Sequence, residues 1–148
     1  MRICFDVNAI LYLFADEGYG FRAAVAYDIA NIRKHEVAIC ASCLADINYL
    51  LHRLGVRGAN LQRNTSLLFE LFDVMDVNRE DGIRALDNGM SDYEDALIAE
   101  SAYRHNCDLI VTENVKAFGE SPVPAITLEE YTRIYKPCNY EYDEVDFS

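Results

Sequence analysis

Short apolar runs alternate with longer amphipathic segments from one end of this chain to the other, and few architectures accept that pattern. Residues 2–5, 37–40, 73–77 and 108–112 read as short buried strands, with 123–126 as a candidate fifth. Between them, apolar residues at helical spacing predict helices over 8–14, 21–34, 58–72, 79–87 and 92–105. Ser42 is placed to cap another helix reaching Leu54, with Gly55 as its stop. Residues 16–20 read as a turn, Ser91 or Asp92 as a helix cap, and Thr127 to Glu130 as a capping box opening a last helix. Strands joined by helices predict a three-layer α/β/α fold around a central, mainly parallel sheet of four to five short strands. In such sheets ligands bind outside the carboxyl ends of the strands. Asp6, the residues after Cys40, and Thr112 to Asn114 are therefore expected to be neighbours in space.

A chain of 148 residues, 51% hydrophobic, suits one packed domain. We assign residues 1–136 to it and residues 137–148 to an acidic tail carrying Glu141, Asp143, Glu144 and Asp146, with Tyr140, Tyr142 and Phe147 available to dock part of it. No apolar run is long enough to span a bilayer, and Asp6 arrives too early for a secretory signal, so a cytoplasmic protein with no membrane partner is expected. Cys4, Cys40, Cys43, Cys107 and Cys138 are odd in number and lack CxxC spacing. Reduced thiols, three of them in apolar surroundings, fit better than a zinc site. The net charge of −12 disfavours a broad basic nucleic-acid face, and discounting the four tail acids still leaves −8. That excess points to a basic protein partner or a narrow substrate entry. Arg53, Arg57, Arg63 and Lys116 are the candidate phosphate contacts, each also readable as an ordinary solvated charge.

The residues able to carry chemistry are acids. Asp6 ends the first strand, where a carboxylate either caps a helix or holds a cation. Asp46 stands in a first helical turn among Leu44, Ile47, Leu50 and Leu51; helix-dipole stabilisation is its alternative reading. Asp92 and Asp95 lie three residues apart and share a helix face, whereas Glu94 is expected to point elsewhere. Like charges held together are costly without a cation. Thr112 and Asn114, after the fourth strand, read either as a polar turn or as ligands around a phosphate or a water. Oxygen donors without nearby Lys or Arg suit Mg²⁺ or Mn²⁺. His35, His52 and His105 read as solvated helix residues, so a nucleophile triad is poorly supported. A haloacid-dehalogenase-like phosphatase needs a second Asp where Asn8 stands, and a receiver domain needs paired acids after the first strand. Both fit worse.

The run Phe5-Asp6-Val7-Asn8-Ala9-Ile10-Leu11 resembles the opening of PIN domains. Ser42 to Leu51, Ser91 to Ala102, and Asp108 to Phe118 resemble the next three elements of that family in order and spacing, so the likeness extends to about Tyr135. It is strongest to small toxin-like PIN ribonucleases of the VapC type. The resemblance implies metal-dependent cleavage of RNA phosphodiesters with Mg²⁺ or Mn²⁺. Asp6, Asp46 and Asp95 match core acidic ligands, Asp92 an additional acid, and Asn8, Ser42, Thr112 and Asn114 polar residues around the centre. It also implies a small antitoxin as partner and a homodimer, for which the helix over 58–72 offers apolar surface that is equally readable as core. The chain departs from the family in two ways: the second acid, often Glu, is Asp46 here, and the late element has Asn114 at one place and Ala117 at the place where an acid is common. The alternative is a catalytically inactive PIN-like binding module.

Overall fold

The computed structural model describes residues 1–14 and 19–142. Most of the turn expected at 16–20 lies outside the described residues, as do Asp143, Glu144, Asp146 and Phe147 of the tail. The strands are β1 (Arg2–Phe5), β2 (Glu36–Cys40), β3 (Asp73–Met75), β4 (Leu109–Val111) and β5 (Ala125–Ile126). They form one sheet in the order β3-β2-β1-β4-β5, and every pairing is parallel. The helices are α1 (Val7–Leu11), α2 (Tyr19–Ile32), α3 (Cys43–Arg53), α4 (Gly58–Leu71), α5 (Arg79–Asp87), α6 (Tyr93–Arg104) and α7 (Leu128–Tyr135), with 3-10 turns at Tyr12–Phe14 and Val115–Phe118. Right-handed crossovers put α2, α3 and α4 on one face and α5 and α6 on the other. Covered on both faces, the strands need no polar alternation. Ile3, Cys4, Phe5, Ala38, Ile39, Cys40, Leu109, Ile110 and Val111 are all buried.

Strand order reverses between β1 and β4: β1 leads outward to β2 and β3, and β4 leads the other way to β5. Such a reversal opens a crevice at the carboxyl ends of the two strands. Phe5 and Val111 are register partners, so Asp6 and Thr112 leave the sheet side by side. The Asp6 N–H donates to the Val111 carbonyl at 2.9 Å, which locks that adjacency. On the other face α6 buries Ala96, Ala99, Ser101 and Ala102, small residues that let a helix approach closely.

The helix ends test the sequence reading locally. Thr127 and Glu130 close the expected capping box, with both bonds at 3.1 Å. Gly55 follows α3 at φ 97°, where a side chain would be strained. Ser42 does not behave as expected: it is already helical (φ −61°, ψ −23°), makes no capping bond, and its Oγ lies 3.1 Å from Cys40 Sγ. Thr127→Ala is therefore expected to cost about 1 kcal/mol and Ser42→Ala less than about 0.5 kcal/mol, measured as shifts in denaturant midpoint.

Other expectations are corrected too. β3 stops at Met75, because the Asp76 carbonyl accepts from Ser101 Oγ at 3.0 Å and from Arg104 instead of pairing in the sheet. Of the three histidines, only His52 stands as a solvated residue. His35 Nδ1 is 2.8 Å from the Tyr131 hydroxyl, and His105 Nε2 is 2.8 Å from Asp76 Oδ1. Helix α4 fully buries only Leu68 and leaves Phe69 60% exposed. With α3 it forms an apolar groove of about 610 Å³ lined by residues such as Asn48, Leu61, Thr65 and Phe69. All five cysteines are free, and only Cys138 is exposed. No helix among the described residues is long and apolar enough to cross a membrane.

Candidate metal centre and active site

Beside the carboxyl end of β1 lies a cleft of about 280 Å³ whose lining includes Asp6, Asn8, Asp92, Glu94 and Asp95, with Leu11 and Leu50 as an apolar wall; Thr112 and Asn114 are not among its lining residues. Asp6 is 4% exposed, and two hydrogen bonds hold its carboxylate. Its carboxylate caps α1 by accepting from the Val7 N–H at 2.7 Å, and it accepts from Thr112 Oγ1 at 2.8 Å. Cap and candidate ligand are thus one residue, and the two readings of Asp6 do not compete. Burial raises the Asp6 carboxyl above its ordinary value, and Asp92 pushes the same way; the bonds from Thr112 and Val7 work against them.

Thr112 is fully buried and also accepts from the Asn114 N–H at 3.0 Å. Asn8 Oδ1 accepts from the Glu113 N–H at 3.0 Å, tying the loop after β1 to the loop after β4. The Asn114 side chain is exposed and caps nothing. Glu113 faces away from the set expected around Thr112, since its Oε1 accepts from the Leu128 N–H at 3.0 Å and holds the start of α7. The Ser42 side chain is turned to Cys40 and is not among the cleft-lining residues.

From α6, Asp92 is the N-cap: its Oδ1 accepts from the Asp95 N–H at 3.1 Å. Burial first, and then the charges of Asp6 and Asp92, push the Asp95 carboxyl up to about 6. Glu94 is the residue that sequence reasoning misplaced. It lines the cleft although it is exposed, and the neighbouring Asp46 carboxyl of α3, followed by burial, raises its own carboxyl to about 7. Asp46 is half-buried and is not among the cleft-lining residues. Among the described residues, no three His, Cys, Asp or Glu side chains already stand in metal-ligand arrangement. The donor chemistry nevertheless fits a hard divalent cation. Among the described residues the donors lining the cleft are oxygens, no Lys or Arg lines it, and burial together with neighbouring acids raises its carboxyls.

A larger cleft of about 660 Å³ opens at the opposite, amino ends of the strands, lined by Met1, Arg2, Glu36, Arg104 and His105 among others. Arg2 there is paired with Glu36 and Asp73, and Arg104 with Asp76 and Asp81. Its two arginines are already committed to these acids, and ligand sites in parallel sheets form at the other end.

Comparison with known proteins accords with this geometry. The family model for the PIN domain matches residues 2–116. The chain belongs to the PIN-domain family. A search of curated proteins finds no match. The PIN domain here is similar in fold to VapBC-1 from nontypeable Haemophilus influenzae (TM-score 0.64, 19% identity, 86% of this chain and 98% of that one). It is also similar to a toxin–antitoxin complex from Klebsiella pneumoniae (0.63, 18%, 85% and 97%). A third likeness is to VapBC2 from Rickettsia felis, solved bound to a DNA fragment from its promoter (0.59, 18%, 86% and 98%).

The raised carboxyls make a prediction about the metal-free PIN domain. Asp95 at about 6 and Glu94 at about 7 bind protons more tightly folded than unfolded. Their contribution is fully present below their ordinary values near 4 and is lost as pH rises through about 6 to 7. His35, whose ring burial shifts below its ordinary value, acts in the opposite sense. Comparison with Asp95→Asn cancels that term. In chelator the variant is expected to melt above the wild type at pH 8, by about 1 kcal/mol after solvent screening, and to match it at pH 4.

Proposed function

We propose that this PIN domain is a metal-dependent ribonuclease using Mg²⁺ or Mn²⁺, and that it is the toxin component of a toxin–antitoxin pair. The observation that carries the reading is the carboxylate cleft beside the carboxyl end of β1 in a chain of this family. Asp6, Asp46, Asp92 and Asp95 would hold the cation. When bound, a divalent cation supplies the positive charge this cleft lacks, both for a phosphate and for making a water more acidic.

The remaining work falls to the chain itself. Thr112 and the Val7 N–H fix the Asp6 carboxylate in one orientation. Asn8, held by the Glu113 N–H, fixes the loop beside it. Asn114 stands exposed next to Thr112, where it is available to a substrate oxygen. Leu11 and Leu50 keep one wall apolar, so the entry is narrow rather than broadly basic. Arg57 is withdrawn from the candidate phosphate contacts, because its guanidinium donates to the His52 and Val56 carbonyls. Arg53, Arg63 and Lys116 remain.

The partner assignment rests on charge and on an exposed face. A net charge of −12 suits a basic antitoxin segment, and the apolar α3–α4 groove is surface available to a second copy. One observation favours the inactive-module reading: the loop after β4 has Asn114 and a half-buried Ala117 where an acid is common in the family. Mn²⁺ titration by calorimetry, alongside cleavage of a structured RNA, tests the choice. Wild type is expected to bind and cleave, and Asp95→Asn to lose both. No binding by wild type would leave the inactive module standing.

A further inference from the structure

Between β2 and α3 the chain reads Cys40-Ala41-Ser42-Cys43, which is C-x-x-C spacing and overturns the expectation that the cysteines lack it. In an α/β chain, such a run where a strand meets a helix is the arrangement of dithiol–disulfide pairs. Cys40 is the last residue of β2 and Cys43 the first of α3, with Ala41 and Ser42 turning the chain between them. A two-residue turn brings its flanking Cα atoms within about 7 Å, and a disulfide spans about 4.4–6.8 Å. Among the described residues no third ligand joins the two thiols to hold a metal.

Ser42 connects the motif to the helix. Its Oγ is turned to Cys40 Sγ at 3.1 Å, so α3 starts without a cap from that hydroxyl. Free N–H groups in a first turn favour a nearby thiolate, and an uncapped helix end frays. Fraying matters here because both thiols are fully buried, and burial pushes the Cys43 thiol well above its ordinary value. Exchange with a reagent therefore proceeds through opening of the first turn and not in the closed state. The same turn carries Asp46, three residues after Cys43. The register that pairs Cys4 with Ala38, carried two residues on, sets Asp6 beside Cys40.

We propose that Cys40 and Cys43 form a reversible disulfide that switches the acid centre by displacing Asp46. One thiolate attacks a sulfur of a low-molecular-weight disulfide and expels one thiol, and the second thiolate then displaces the other. Two electrons and two protons leave the pair, and the reagent becomes two thiols. To close the bridge, Cys40 Sγ must leave Ser42 Oγ and come within bonding distance of Cys43 Sγ, which reorganises the turn on which α3 begins. Formation of the bridge stands on the motif; its effect on the centre rests on the metal-dependent reading above.

The test is oxidation of the full chain by oxidised glutathione, in a Cys138→Ser background that removes the one exposed cysteine. Peptide mapping after alkylation is expected to find a single bridge, Cys40 to Cys43, reversed by dithiothreitol. Mn²⁺ calorimetry is expected to show about tenfold weaker binding by the oxidised protein, with full recovery on reduction. Cys43→Ser, its folding checked by a melt in chelator, should bind Mn²⁺ as the reduced parent does and show no response to oxidant. If that variant does not fold, mapping and recovery on the parent decide alone. A folded parent that forms no Cys40–Cys43 bridge, or bridges through Cys4 or Cys107 instead, would overturn the proposal. A bridge that leaves Mn²⁺ affinity unchanged would overturn the switch and leave the metalloenzyme reading intact. A reduced parent that binds no Mn²⁺ would overturn that reading, and the switch with it.

Discussion

Asp81→Ala is expected to destabilise the fold by about 3 kcal/mol, lowering the melting temperature by roughly 6–12 °C. Asp81 is fully buried yet charged. Burial, the largest single influence, raises its carboxyl, but Arg104, together with the Asn78 N–H and the charge of Arg84, holds it below the ordinary value. Arg104 Nε lies 3.0 Å from each Asp81 oxygen, and one terminal nitrogen is 2.9 Å from Oδ2. The same carboxylate accepts from the Asn78 N–H at 3.0 Å and completes the capping box of α5. Alanine removes the cap, leaves Arg104 without its buried partner and opens a void between α5 and α6. A depressed carboxyl contributes stability above its unfolded value near 4, lost as pH falls through the folded value. The gap between wild type and variant should therefore narrow on acidification below about pH 4. A gap of constant size across pH 3–7 would show that packing, not the ion pair, is what Asp81 supplies.

That pair also marks where the sequence ceases to be readable. Arg104 and Asp81 are on different helices, and nothing in periodicity links them. The sheet was legible because strands buried on both faces must be continuously apolar, and β1, β2 and β4 are. Asp6 and Thr112 were legible as neighbours because a parallel sheet brings its carboxyl ends together. Glu94 was not. Spacing by three or four residues describes the side of a regular helix, but α6 begins at an extended cap. In a first turn, side chains project past the helix end as well as sideways, so Glu94 reaches the acids that face-counting had assigned to Asp92 and Asp95 alone. Ser42 failed for a related reason: a serine before an apolar helix has capping composition, but its backbone here is already helical and its hydroxyl is turned to Cys40. Composition identifies a cap only where the backbone is extended, as it is at Asp6, Asn78, Asp92 and Thr127.

Asp6→Asn is expected to lower RNA cleavage on the order of a thousandfold, about 4 kcal/mol of transition-state stabilisation, while leaving the fold intact. The substitution separates the two jobs of this side chain. Asparagine keeps an oxygen for the Val7 N–H, so the cap on α1 survives. Its amide nitrogen would face Thr112 Oγ1, and that hydroxyl can rotate from donating to accepting. What is lost is the negative charge at the point where β1 and β4 leave the sheet together. Burial already disfavours that charge in the metal-free protein, so its removal should leave the melting temperature in chelator unchanged or slightly raised. Added Mn²⁺ should raise the melting temperature of wild type and not of the variant, since only a bound ligand stabilises the folded state. Asp6→Ala is the contrasting control. It removes the cap as well as the charge and should lower stability by about 1 kcal/mol while losing cleavage to the same extent. Metal-stimulated cleavage that survives Asp6→Asn would remove Asp6 from the centre and, with it, the argument that the β1/β4 crevice is where this protein does its chemistry.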